Sequence, residues 1–199
     1  MALSIPVQCI HGNGESNILA VNRGELLDRV PERLHDAMHW VERRLPPEYL
    51  AEFAAWPLTL RLAHPEIGDI LFCHATPRDD TEIFTRITPE GRLRALFDAA
   101  NADLVVCGHT HMQFDRFVGS TRVINSGSVG MPYGERGAHW LLIDSDVRFR
   151  RTEYDYDGAA ARIHETEFPG AHEFARLIVF SPPAELEMTE RLESAAIGR

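Results

Sequence analysis

Two apolar runs that each lead straight into histidine constrain this chain more than any other feature. Ile70-Leu71-Phe72-Cys73 precedes His74-Ala75-Thr76-Pro77, and Leu104-Val105-Val106-Cys107 precedes Gly108-His109-Thr110-His111. Both runs are strand-like and read as buried strands. A buried strand that stops at a turn holds an imidazole rigidly at the rim of a sheet, a placement that suits a metal ligand. Three histidines placed in this way are hard to account for by core packing alone.

Spacing elsewhere fills in the architecture. Apolar residues at Leu34, Met38, Val41 and Leu45 predict a helix over 30–45, stopped by Pro46-Pro47, and a second helix follows over 48–56. Strands are predicted over 6–10, 58–63, 69–74, 103–108, 114–118, 121–125, 138–144 and 147–154, with a helix over 89–100. His11-Gly12-Asn13-Gly14 reads as a turn. Helices over 158–167, 169–179 and 184–196 form an extension, 155–199, of a single domain spanning 1–199. Helix and strand alternate in the first half and strands dominate the second, which favours an α/β sandwich with mixed sheets over a purely parallel sheet.

Composition narrows the chemistry. A formal net charge of −10 repels nucleic-acid backbones, so a nucleic-acid scaffold role is disfavoured. A small phosphorylated molecule remains compatible, because a bound cation reverses the local field. All 20 cationic side chains are arginine, so lysine-dependent Schiff-base chemistry and the lysine phosphate loop are excluded. Cys9, Cys73 and Cys107 are odd in number and widely spaced; they read as small buried residues of a cytoplasmic protein, not as a disulfide framework. No apolar run approaches the roughly 20 residues of a membrane span, so no membrane partner is expected.

Four blocks in order, Gly12-Asn13-Gly14-Glu15, His74-Ala75-Thr76-Pro77, Gly108-His109-Thr110-His111 and Asn125-Ser126-Gly127-Ser128-Val129-Gly130-Met131-Pro132, resemble the motifs of the calcineurin-like metallophosphoesterases. The last block is similar to the small bacterial phosphodiesterase branch, and the resemblance runs over about 7–144. It implies a calcineurin-like α/β/β/α sandwich with two mixed sheets. It implies a divalent transition-metal centre, with manganese first and iron, nickel or zinc as alternatives. Carried over motif by motif, Asn13, His74 and His109 ligate one ion and His111 the other, which also places His109 in the catalytic set. The implied reaction is hydrolysis of a P–O bond in a small phosphorylated substrate by metal-bound hydroxide.

The family's Asp-x-His and Gly-Asp-x-x-Asp blocks do not occur in this sequence. On the resemblance, the chain opens at the family's third strand and reads as N-terminally truncated, with bare strand edges that invite self-association into a homo-oligomer. The ligands that remain are neutral, and two divalent ions held close without a bridging carboxylate repel strongly. At most one tightly bound ion and poor hydrolysis are therefore expected. The alternative is a non-catalytic protein of the same fold that acts by binding a partner. Gly14 stands where many relatives carry a histidine that protonates the leaving group; His11 is a stand-in, against a reading as a turn-edge histidine without a role. Arg78 and Arg116 follow the two histidine blocks. Either they grip a substrate phosphate or they pair with Asp79, Asp80 or Asp115. Asn125 either donates to substrate oxygens or shapes a glycine-rich turn.

Overall fold

The computed structural model describes residues 7–28 and 30–198. In chain order its helices are α1 (Asn13–Asn22), α2 (His35–Glu42), α3 (Pro47–Ala55), α4 (Glu90–Ala100), α5 (Tyr156–His164), α6 (Ala171–Ala175), which continues as a π-helical turn over Arg176–Phe180, and α7 (Glu185–Glu193). Five strands, β1 (Thr59–His64), β2 (Gly68–Cys73), β3 (Leu104–Cys107), β4 (Gln113–Val118) and β5 (Thr121–Ser126), form one sheet in the order β1-β2-β3-β5-β4. β2, β3 and β5 run parallel, and β1 and β4 are antiparallel edges. β6 (Ala138–Ile143) and β7 (Val147–Thr152) form a separate antiparallel ribbon.

The apolar runs are continuous because both faces of the central sheet are covered. Leu71, Cys73, Val105, Cys107 and Val123 face one way and pack against Leu93, Leu96 and Phe97 of α4. Ile70, Phe72, Leu104, Val106 and Ile124 face the other way and pack against Leu141, Ile143 and Val147 of the ribbon. The period-2 alternation of a strand therefore sorts one apolar string into two cores. The result is a helix layer, a mixed sheet and a second sheet, with β3 buried along its whole length.

The N-terminal segment departs from expectation. Pro6 lies outside the described residues, and 7–10 is not a strand; His11 N donates to Pro57 O at 2.8 Å instead. The expected turn is the start of α1. The Glu15 carboxylate accepts the N–H of Gly12 at 3.0 Å, as in half of a capping box, and Ile18 anchors the helix in the interior. The helix expected over 30–45 is shorter. A 3₁₀ turn, Glu32–Leu34, follows Pro31, and α2 ends at Glu42. The C-terminal stretch is helical, and α7 is stitched to the domain. Glu193 accepts from Thr85 Oγ1 at 2.7 Å and from Thr88 Oγ1, and Glu185 pairs with Arg86. Among the described residues no helix is long and apolar enough to cross a membrane.

Candidate metal centre

The parallel strands of an open α/β sheet deliver their loops to one edge, where such folds place their sites. His74 is the first residue after β2, and Gly108-His109 follows β3 directly. The ladder continues past the strand ends, with Gly108 N donating to His74 O at 2.8 Å, so the sheet itself fixes the two histidines side by side. Asn13, the first residue of α1, reaches the same point. Its Oδ1 lies 2.7 Å from His74 Nε2, and His109 Nδ1 lies 3.2 Å from that same nitrogen. Donor atoms on one cation held at about 2.0–2.2 Å are separated from each other by about 3 Å, and both distances from His74 Nε2 are of that size.

Space and charge both favour this use. An added Cβ at Gly12 would stand 2.8 Å from His74 Nδ1, so glycine leaves room for the imidazole. Burial pushes all three imidazoles down, His109 to about 4 with help from the neighbouring His74, and His74 and His111 below the usual histidine range. They are therefore neutral at physiological pH, the form that binds metal. The Thr81 backbone hydrogen-bonds to His109, the sort of outer contact that orients metal-ligating histidines.

His109 and His111 also carry backbone strain. Their φ angles are 64° and 61°, and they are two of the three non-glycine residues with positive φ among the described residues. Such conformations cost about 1–3 kcal/mol and collect at functional sites. The turn is locked from beneath by Asn125, which is 1% exposed. Its Nδ2 donates to Gly108 O at 2.5 Å and to Thr110 Oγ1 at 2.9 Å, and its Oδ1 accepts from Gly127 N at 2.9 Å. These three hydrogen bonds brace the turn that carries His109 and His111.

His111 joins His74 and His109 in lining a cavity of about 320 Å³, together with Ser126, Ser128 and Val129. Its ring stacks on Tyr133 at 5.4 Å, and its Nδ1 is buried without a hydrogen-bond partner. That orphaned lone pair fits a cation ligand. A complete second shell is not in place. Among the described residues no three His, Cys, Asp or Glu side chains form a cluster able to hold an ion. The set of three near His74 closes only because the amide of Asn13 takes part. The residues thus fit one ion and leave His111 as a lone donor toward a second.

The two arginines are placed elsewhere. Neither Arg78 nor Arg116 lines the histidine cavity. Arg78 is exposed and forks onto Glu82 four residues on. Arg116 donates to the carbonyls of Thr85, Arg86 and Thr88 at 2.8–3.1 Å, where it braces a loop. The partner of Arg78 is Glu82, and not one of the aspartates that the sequence suggested. Asp115 pairs with Arg122, and Glu15 is used by Gly12, so both carboxylates are already engaged. His11 stands beside the cluster, with Nδ1 3.2 Å from Ser16 Oγ and 3.4 Å from Asp80 Oδ2. The Ser16 hydroxyl proton goes to Asp80. Asp80 itself escaped the sequence reading except as an arginine partner.

Fold and site together define an α/β sandwich with imidazole and amide donors gathered at the carboxyl ends of its parallel strands. Residues 2–147 match the calcineurin-like phosphoesterase superfamily domain, and the chain belongs to that family, whose members are metal-dependent phosphoesterases. The crystal structure of hypothetical protein PH1004 from Pyrococcus horikoshii OT3 is similar with a TM-score of 0.73 and 19% identity, over 91% of this chain and 75% of that one. A metallophosphoesterase from Sphaerobacter thermophilus is similar with a TM-score of 0.63 and 21% identity, over 83% and 73% of the respective chains. At these identities the likeness establishes the fold. No curated protein matches the chain.

Proposed function

We propose that this chain is a metal-dependent phosphodiesterase centre that holds one ion tightly, manganese before iron, nickel or zinc, and hydrolyses a small phosphodiester slowly. The observation that carries the reading is the approach of Asn13 Oδ1 and His109 Nδ1 to His74 Nε2, at 2.7 and 3.2 Å. When bound, a divalent cation there supplies Lewis-acid polarisation of a phosphoryl oxygen and lowers the pKa of water. The chain's own residues do the rest. Asn13, His74 and His109 hold the ion with neutral ligands, so its full positive charge is available to a phosphate anion. His111 lines the cavity and adds an imidazole whose buried Nδ1 has no hydrogen-bond partner. His11, held at Nδ1 by Ser16 and Asp80, is the residue assigned to proton exchange with a leaving group. Turnover is slow because, among the described residues, no carboxylate cluster completes a second cation's shell, so only one cation is available to stabilise the entering and leaving oxygens.

The missing carboxylates favour one second reading, a family member that keeps one ion and acts by binding a partner. Titration of the metal-free chain with Mn²⁺ by calorimetry, followed by assay on an aryl phosphodiester, separates the two. The catalytic reading expects one tight ion per chain and slow hydrolysis that EDTA abolishes and Mn²⁺ restores. One tight ion with no hydrolysis supports the partner-binding reading. No tight ion, or two, overturns both. The free Cys73 and Cys107 thiols, buried in the core, fit a cytoplasmic setting.

A further inference from the structure

We propose that the acidic turn 79–82 is the clamp that brings the three ligands to one point, with Asp80 as the positioning residue that secures Asn13. The proposal rests on the reading of that point as a cation site.

The three ligands come from separate stretches of chain. His74 and His109 follow neighbouring parallel strands, so main-chain hydrogen bonds already set their separation. Asn13 has no such ladder, because the segment before it is not a strand. Asp80 takes its place. Its Oδ2 accepts the hydroxyl of Ser16 and lies 3.4 Å from His11 Nδ1. His11 is two residues before Asn13 and Ser16 three after, so one carboxylate grips the chain on both sides of the ligand. The carboxylate side chain is only 14% exposed, which keeps competing water away from these contacts.

The same turn holds the other two ligands. Thr81, the next residue, hydrogen-bonds through its backbone to His109. Thr76, two residues after His74, donates its N–H to Asp79 O at 2.9 Å. Asp79 Oδ1 accepts from Thr81 N and Thr81 Oγ1 at 2.6 Å and from Glu82 N at 3.0 Å, which folds 79–82 into a tight Asx-type turn. Four successive residues therefore touch every segment that supplies a ligand. The Asp80 charge also acts on both His74 and His109, and so places a negative group beside otherwise neutral ligands.

The test is equilibrium binding of Mn²⁺ to the full chain, with thermal melting of the metal-free protein beside it. Asp80→Ala is expected to weaken Mn²⁺ binding by about 10–100-fold, the range for outer-shell groups, with the metal-free Tm nearly unchanged. Ser16→Ala keeps the charge but cuts the link, and is expected to weaken binding severalfold. Asp80→Asn, close in size, must also weaken binding and covers the case in which Asp80→Ala does not fold. Parent-like affinity in the Asp80 and Ser16 variants overturns the clamp. So does weakening confined to the Asp80 variants, which would be an effect of charge alone, and so does a loss of affinity matched by a loss of Tm. Asn13→Ala separates the two claims. If it too binds Mn²⁺ like the parent, the cation reading fails; if it alone is weakened, only the clamp fails.

Discussion

Replacement of His109 by alanine is expected to lower Mn²⁺ affinity by more than about a hundredfold, since loss of an outer-shell group alone costs up to that much. His109 contributes one of three donors, and its Nδ1 lies 3.2 Å from His74 Nε2. Removal leaves two donors, too few to hold an ion tightly. A second comparison identifies the strain as functional. His109 has φ 64°, a conformation glycine adopts freely and alanine does not. In an ordinary position His→Gly is worse for stability than His→Ala, because glycine gains more freedom on unfolding. Here the order should reverse, with the metal-free His109→Gly variant about 1 kcal/mol more stable than His109→Ala in urea denaturation. Both variants lose metal binding. If alanine were the more stable of the two, the left-handed turn would not be a strained feature held for the ligand.

Asn125→Ala should be the most damaging single change to the fold near the site, at about 2–4 kcal/mol. The side chain is 1% exposed and makes three hydrogen bonds, to Gly108 O, Thr110 Oγ1 and Gly127 N. Truncation strands all three groups in a place water does not easily reach, and each buried unsatisfied group costs about 1–3 kcal/mol. It also removes the brace that holds His109 and His111 in the left-handed region. Stability and metal affinity should therefore fall together, measured by urea denaturation with and without Mn²⁺. Asn125→Asp should do no better. It keeps an acceptor for Gly127 N but loses both donors and places a charge where the neighbours are carbonyl and hydroxyl oxygens. A loss of affinity at unchanged stability would point instead to direct contact of Asn125 with metal or substrate.

The sequence made the sheet legible because β2 and β3 are buried on both faces, which forces unbroken apolar strings that end at the ligands. The histidine pair followed from the same fact. The start of α1 did not, because Gly12, Asn13 and Gly14 all favour turns, and Gly14 costs about 1 kcal/mol in a helix. Tertiary contact supplies what propensity lacks there: Glu15 caps Gly12, and Ile18 is buried. The apolar stretch 7–10 reads as a strand by composition, but pairing needs a neighbour that composition cannot reveal. The fates of Arg78 and Arg116 depended on partners reached through the fold, a glutamate four residues on and three carbonyls of a distant loop. Asn125 was readable as a turn residue, while the partners of its amide depended on the fold. Asp80 carried a usable signal: an Asp-Asp pair soon after a ligand histidine is poised to fold back on the site.

The central claim is that Asn13, His74 and His109 are the ligands of one cation. Anomalous diffraction at the manganese edge, from crystals of the chain grown with Mn²⁺, tests it most directly. The account predicts a single strong peak within about 2.0–2.3 Å of Asn13 Oδ1, His74 Nε2 and His109 Nδ1. A cavity with no peak, or a strong peak bound by other residues while these three keep their hydrogen bonds to one another, would contradict it.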